Sequence, residues 1–412
     1  MPSTATVTTS SRAAVYVGRQ PIFDRDLKVY AYELLYRSGM SGGAAQGRVS
    51  GDRATTDTIV NAFLEIGLER LVGTRCGAIN LTEDFLLGDN KLPFSPQQII
   101  LEILEDVPVS EALIAAVTRL KREGYTIALD DYLFNPAHEP LLRLADIVKI
   151  DILALDAQQL EEHVRVLRRF DVKLIAEKVE TPQEFIRCRD LGFDLFQGYF
   201  LSRPQIVSAE RLPSNRLAIL NLLAVLNNAE AEPEDLAEAI NADVAVSYKL
   251  LKVLNSAAIN LPRKVESIQQ GVVLLGRRKL VSWASMLAVS TMDDRPAELV
   301  RTAMIRAKMC ELLAEQAGLG PLESYCTVGL FSALDLLMQQ PLAKLIQPLP
   351  LSGDIVAGLL HREGKLGAAL DCAIAYETGD WEKIRFDKLT ADDILVANIE
   401  AVTWANALLD SL

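Results

Sequence analysis

Eight short runs rich in β-branched and aromatic residues punctuate residues 15 to about 204, and helical stretches fill much of the space between them. In order they read VYVGRQ, KVYAYELLYR, CGAINL, QIILEIL, TIALDDY, IVKIDI, KLIAEKV and LFQGYFL. The helical stretches TTDTIVNAFLEIGLERL, SEALIAAVTRLKREG and EEHVRVLRRF stand before the third, fifth and seventh runs. Strands alternating with helices build a parallel sheet from βα units, and eight of them are enough to close a barrel. Such barrels typically take ~250 residues. About 190 are used here, so several helices or loops are expected to be trimmed.

A buried strand tolerates a charged or amide side chain only where something pairs it. Six of the segments, YELLYR, AINLT, ILEILED, IALDDY, VKID and LIAEKVET, carry such groups where the strand should end: Glu33, Asn80, Glu102, Asp130, Asp131, Lys149, Glu177 and Glu180. In these barrels the chemistry lies at the carboxyl ends of the strands, so the groups converge on one mouth. Several carboxylates sharing a site repel one another, and divalent cations relieve that repulsion. Oxygen donors from Glu, Asp and an Asn carbonyl suit Mg²⁺ or Mn²⁺, whereas zinc would want the His or Cys that this half lacks at suitable positions. A set this rich accommodates two metals roughly 3.5–4 Å apart, the arrangement that activates water for in-line attack on a phosphodiester. Lys149 would then orient that water or offset transition-state charge.

After LSRPQIVSAERLP the strand signal stops. LAILNLLAVLNNA, VSYKLLKVLNSA and IQQGVVLLG repeat apolar residues at spacings of three and four, and PEDLAEAI opens with the proline and acids of a helix start. The fold class is therefore α/β plus all-α. Pro204 and Pro213 bracket the join, which falls near residues 205–214. We read residues 1–14 as a disordered Ser/Thr-rich tail, 15–206 as the barrel and 207–412 as the helical domain.

Other functions are excluded by charge and composition. A formal charge of −13 repels nucleic acid phosphates and anionic lipid, and Arg277, Arg278 and Lys279 read as a solvated helix start. No direct nucleic acid binding is expected. No apolar run reaches the ~20 residues of a bilayer span, so no membrane partner is expected either. The five cysteines are widely spaced with no CxxC pair, which fits thiols in a reducing cytoplasm. His138, His163 and His361 lack ligand-spaced partners and read as surface residues.

From RQPIFD to FQGYFLSRP the order of motifs resembles the EAL-domain phosphodiesterases, bacterial enzymes that hydrolyse cyclic di-GMP. The resemblance implies a TIM-like (β/α)₈ barrel with Glu33 as the signature glutamate of ELLYR. It places Arg37 on ligand phosphate, with Leu35 and Gln197 in the same substrate-binding set. It assigns Glu33, Asn80, Glu102, Asp130 and Asp131 to two Mg²⁺ or Mn²⁺ ions. Lys149 falls to the catalytic water, Glu177 and Glu180 to the catalytic acidic pair, and Glu105 to steadying a neighbouring loop. SYKLLKVLNSAAINLPRKVESIQQGVVLLGRRKLVSW resembles the HDOD domain, a helical relative of HD phosphohydrolases. The region corresponding to the hydrolase centre, GLFSALDLLM, has no histidine, so that chemistry is excluded and the helical half is expected to bind a protein partner. Asn255 and Ser256 are expected to serve helix ends.

Three departures from the family pattern bear on turnover. Leu34 stands where alanine is usual and is expected to narrow the pocket. Lys178 stands where the family has glycine. The glycine-rich DDFGTG loop is replaced by DDYLFNPAH, with Pro136 stiffening it. Such barrels often dimerise through that loop, so with the loop altered the family's dimer does not carry over, and a homodimer stands only as one alternative. The sequence thus specifies a cyclic di-GMP protein of the bacterial cytoplasm and leaves three roles open: phosphodiesterase, inactive receptor or interaction scaffold.

Overall fold

A computed structural model describes residues 15–38, 67–88, 92, 94–198, 214–255, 265–292 and 296–411. The tail, the join between the halves, most of the TTDTIVNAFLEIGLERL stretch and Ser256 lie outside the described residues.

The first half is a closed barrel in strand order β1 to β8. The strands are β1 (Val15–Asp24), β2 (Val29–Ser38), β3 (Cys76–Leu81), β4 (Ile99–Ile103), β5 (Thr126–Leu129), β6 (Ile147–Asp151), β7 (Lys173–Glu177) and β8 (Leu195–Gln197). All eight predicted runs are strands, but the sheet is not wholly parallel: β1 runs antiparallel to both β2 and β8. The reason is the connection. Four residues join β1 to β2, too few for a crossover, and they close as a hairpin in which Asp24 Oδ1 accepts from the Asp26 and Lys28 amides at 2.9 Å each.

The helices between strands are α1 (Leu68–Val72), α2 (Glu83–Leu87), α3 (Glu111–Arg122), α4 (Glu139–Leu142), α5 (Ala157–Leu167) and α6 (Pro182–Leu191). Their starts are written locally. Ser110 Oγ accepts from the Leu113 amide to cap α3, and Asp156 with Gln159 and Thr181 with Glu184 form capping boxes on α5 and α6. Among the described residues the short helices are α1, α2 and α4, of 5, 5 and 4 residues.

Every strand gives one residue to a plug that fills the barrel: Ile22, Ala31, Ala78, Ile100, Ala128, Ile147, Ile175 and Leu195. Three alanines among five branched residues close the interior as a packed core. Outward-facing residues of the same strands bury against the helices. Leu34 belongs to that outer layer: its Cδ1 would lie 3.0 Å from a Cβ at Gly77, and it packs with Leu68. The expectation that Leu34 narrows the pocket is therefore corrected, because the residue after an inward Glu33 points outward.

The second half is helical throughout its described residues: α7 (Ser214–Asn227), α8 (Pro233–Asn241), α9 (Val244–Leu254), α10 (Ile268–Leu275), α11 (Arg277–Ser290), α12 (Ala297–Gln316), α13 (Leu322–Phe331), α14 (Leu334–Met338), α15 (Leu342–Ile346), α16 (Gly353–His361), α17 (Gly364–Thr378) and α18 (Ala391–Ser411). A single apolar core runs from Ile219 to Leu408. Asn255 ends α9 and bonds the Leu251 and Val265 carbonyls at 2.8 Å, as expected of a helix-end residue. Arg277 opens α11 and donates to the Ala231 and Asn228 carbonyls, so it ties down a turn while Arg278 and Lys279 face solvent. None of the described helices is long and apolar enough to cross a membrane.

The two halves share a wall. Ile399 of α18 joins the barrel's outer core. Tyr32 donates to Glu298 Oε2 of α12 at 2.8 Å, and Arg19, stacked 4.3 Å above the Tyr32 ring, lies 3.9 Å from the same carboxylate. Trp381, after α17, comes within 3.1 Å of where a Cβ on Gly18 would stand, so a larger residue at that position of β1 would push the indole aside. The next residue along each strand, Gln20 after Arg19 and Glu33 after Tyr32, points into the barrel.

Candidate active site

Two residues beyond the apolar plug, towards the mouth, every strand contributes a polar side chain: Gln20, Glu33, Asn80, Glu102, Asp130, Lys149, Glu177 and Gln197. The spacing is two because side chains on one face of a strand recur every second residue. Asp130 follows β5 directly, and its amide still bonds the Ile103 carbonyl at 2.9 Å, which holds it in register. Gln20 was missed from the sequence. In a reversed strand the mouth-facing residue precedes the plug residue, so the signal in RQPI runs backwards from Ile22.

Lys149 stands at the centre with none of its surface exposed. Its Nζ lies 2.6 Å from Asp130 Oδ1, 3.0 Å from Glu177 Oε1, 3.1 Å from Glu102 Oε2 and 3.4 Å from Glu33 Oε2. Gln197 Nε2 donates to Glu33 Oε2 at 2.5 Å and to Gln20 Oε1 at 3.1 Å, linking β8, β2 and β1. The structure thus brings together Glu33, Glu102, Asp130, Lys149, Glu177 and Gln197 as the sequence implied.

One ammonium faces four carboxylates, and the electrostatics follow. Burial raises Glu102 well above the usual carboxylate range; Lys149 opposes the rise, and Glu33, Asp130 and Glu177 add to it. Burial likewise pushes Glu177 up to about 8 against the pull of Lys149. Burial disfavours the Lys149 charge, but Glu102, Glu177, Glu33 and Asp130 outweigh it and hold the ammonium protonated far above its ordinary range. Glu102, Glu177 and Lys149 therefore titrate as a unit.

Several buried oxygens in this layer have no hydrogen-bond partner: Asn80 Oδ1, Glu102 Oε1, Gln197 Oε1 and, at the rim, Asp131 Oδ1. Orphaned acceptors beside excess negative charge are what an oxygen-ligated cation satisfies, so the donor set fits Mg²⁺ or Mn²⁺. Among the described residues no three His, Cys, Asp or Glu side chains already stand as a metal cage. The carboxylates are instead gathered on Lys149.

The remaining expected site residues lie around the rim. Asp131 is half-buried with its backbone left-handed at φ 41°, and burial, then Asp130, raises its carboxyl. Glu105 is exposed and adds to the negative field on Asp131. The amide of Glu180 bonds Glu184 Oε2 at 2.8 Å, so Glu180 sits at the entry to α6 with its side chain half-buried. Leu35 approaches the helical half, its Cδ1 lying 3.8 Å from where a Cβ on Gly379 would stand. The Arg37 side chain lies outside the described residues.

The DDYLFNPAH loop has an organisation of its own. The Tyr132 amide bonds the Lys149 carbonyl at 2.9 Å, and the Tyr132 ring is buried between His138 and His163. His163 Nε2 donates to the Tyr132 carbonyl at 3.1 Å, so it is a half-buried anchor rather than the surface residue expected. Asn135 Oδ1 accepts from the Ala137 amide at 3.0 Å and caps a 3₁₀ turn, Pro136–His138, whose first position suits Pro136. Anchors and a cap hold a loop that contains no glycine.

Beside the GLFSALDLLM region, α12 and α17 form an ion pair that reaches its Ser332. Arg306 is bound by Glu377 through Nε at 2.7 Å and a second nitrogen at 2.9 Å, and a third reaches Ser332 Oγ at 3.3 Å. Burial opposes the Arg306 charge and Glu377 more than restores it. Asp335, half-buried in the first turn of α14, accepts from the Leu336 amide at 2.8 Å.

Comparison with known proteins agrees with both halves. The EAL domain matches residues 77–204 and the HDOD domain residues 212–349, so β1, β2, α1 and α16–α18 lie outside the matched segments. Over 409 residues the chain is 35% identical to the uncharacterized protein YuxH of Bacillus subtilis, covering 96% of this chain and 99% of the relative. Over 399 residues it is 33% identical to the cyclic di-GMP phosphodiesterase CdgJ of Vibrio cholerae, covering 95% and 92%. With both domains in the same order and relatives matched over nearly their full length, the chain belongs to the family of proteins that join an EAL domain to an HDOD domain.

Proposed function

We propose that the barrel binds cyclic di-GMP and opens one of its phosphodiester bonds to give linear pGpG, as part of a signalling pathway whose output passes through the helical half. The observation that carries this reading is the polar layer, in which buried carboxylates outnumber the ammonium among them four to one and orphaned oxygens face the same space. The name of the CdgJ relative supports the same substrate.

Glu33, Asn80, Glu102, Asp130 and Asp131 would hold two Mg²⁺ or Mn²⁺ ions. When bound, these ions supply an activated water and neutralise charge on the reacting phosphate. Lys149 holds the surrounding carboxylates at fixed distances and presents a positive charge where the transition state gains a negative one. Glu177, at the next strand, is the group placed to hold a proton, with Glu180 at the rim. Gln197 and Gln20 fix the orientation of Glu33, while Arg37 and Leu35, further along β2, are the residues assigned to the ligand. Glu105 acts on the rim through Asp131.

The helical half is read as an interaction and output module. Tyr32 and Arg19 fasten β1 and β2 to Glu298, while their neighbours Glu33 and Gln20 face the site, so displacement of α12 would be felt by both. A second reading, a receptor that binds without cleaving, is favoured by the capped DDYLFNPAH loop.

The test is direct. Purified protein incubated with cyclic di-GMP and Mn²⁺ or Mg²⁺ is expected to release pGpG, and Glu33→Ala to lose at least about a hundredfold in kcat. Undiminished turnover in that variant sinks the assigned site. Binding in Ca²⁺ without turnover in any metal selects the receptor, and neither binding nor turnover selects a scaffold.

A further inference from the structure

Three adjacent strands end on a second charged group above the Lys149 layer. Asp131 follows β5, Asp151 closes β6, and Lys178 follows Glu177 at the end of β7. The Lys178 ammonium is held by Asp151 Oδ2 and lies 3.8 Å from Asp131 Oδ1. Asp151 is kept in place by the Leu153 amide, which donates to its other oxygen at 2.8 Å.

Lys178 occupies a backbone conformation that glycine adopts freely, with φ 57°. A lysine held there carries a backbone cost that glycine would not, and the ion pair with Asp151 is what its side chain gains. The charge therefore sits at this rim by virtue of a specific contact rather than as one more solvated lysine. Asp131, across β6, has its own left-handed backbone and one buried oxygen without a hydrogen bond.

We propose that Lys178 is a tethered cation opposing the outer of the two divalent ions, so that a cation binding at Asp131 must displace or repel it. Resting on the metal reading given above, this makes the two metal positions unequal. The inner one is served by Glu33, Asn80, Glu102 and Asp130; the outer one depends on Asp131 and competes with a resident ammonium. Lys178 thereby sets the divalent-ion concentration at which the full site assembles.

Mn²⁺ titration of the full chain, with free Mn²⁺ read by electron paramagnetic resonance, tests this without reference to turnover. Wild type is expected to bind one Mn²⁺ clearly more tightly than a second. Lys178→Gly is expected to tighten the second about tenfold, as removal of a neighbouring like charge should. Lys178→Met, which keeps the side-chain bulk and the backbone cost but not the charge, should do the same. Equal affinities in all three proteins overturn the role of Lys178 while leaving the metal site standing, since wild type still binds. Tightening in Lys178→Gly alone assigns the effect to the backbone and overturns the proposal as well. No Mn²⁺ binding by any of them overturns both the tethered cation and the metal reading.

Discussion

Both halves of the molecule bury charge, but they balance it differently. In the helical half Arg306 meets Glu377 one to one, in a bidentate pair completed by Ser332. In the barrel Lys149 meets four carboxylates, and oxygens of Asn80, Glu102 and Gln197 are left over. A matched pair is complete within the fold, whereas a surplus of one sign is stable only with a ligand or bound protons to offset it. Balance, more than burial, separates the structural ion pair from the binding site.

The largest effect expected is from removing the central ammonium. Lys149→Met leaves four buried carboxylates without their cation and should cost about 3–5 kcal/mol in urea unfolding in EDTA, much of it recovered by adding Mn²⁺. A loss below about 1 kcal/mol would mean that the carboxylates are not held by Lys149 at all.

The comparison sharpens with two amide substitutions that should act in opposite directions. Glu377→Gln deprives Arg306 of its counter-charge and is expected to destabilise by about 2 kcal/mol. Glu102→Gln removes a carboxyl whose ionised form burial disfavours and is expected to stabilise the metal-free protein by about 1 kcal/mol while abolishing turnover, as catalytic clusters are built at the expense of stability. The same sign for both would erase the distinction between the two centres.

A comparable effect is expected from pH. Glu177 is raised from 4.5 to about 8 in the folded protein, so between those values the folded state holds protons that the unfolded state has released. Stability of the metal-free protein should therefore fall as pH rises through that window, by about 2 kcal/mol between pH 6 and pH 8. Thermal melts in EDTA across that range read it directly, and a rise in stability would contradict the strained cluster. Saturating Mn²⁺ should flatten the trend.

Much of this was legible in the sequence. The strands were readable because β-branched runs bounded by helical segments have few other uses, and their polar ends because a carboxylate inside such a run needs a partner. Glu33, Glu102, Asp130, Lys149 and Glu177 were all named on that ground, and they meet. The capping boxes of α5 and α6 were equally local. Of what was not visible, two points bear on the lining of the mouth. Gln20 was hidden because β1 is reversed, and Leu34 was assigned to the pocket because the direction of a side chain depends on which neighbour faces inward.

By itself, then, the sequence determined the elements, the barrel, the helical half and most of the groups that line the mouth, since each follows from periodicity or from the cost of burying a lone charge. Only the tertiary structure decided the charge balance. That the carboxylates share one lysine, that Lys178 reaches back to Asp151 and Asp131, and that Arg306 fills the helical half's polar centre depend on distances between strands and helices far apart in the chain. Electrostatic energy varies with those distances, and no local pattern of residues encodes them.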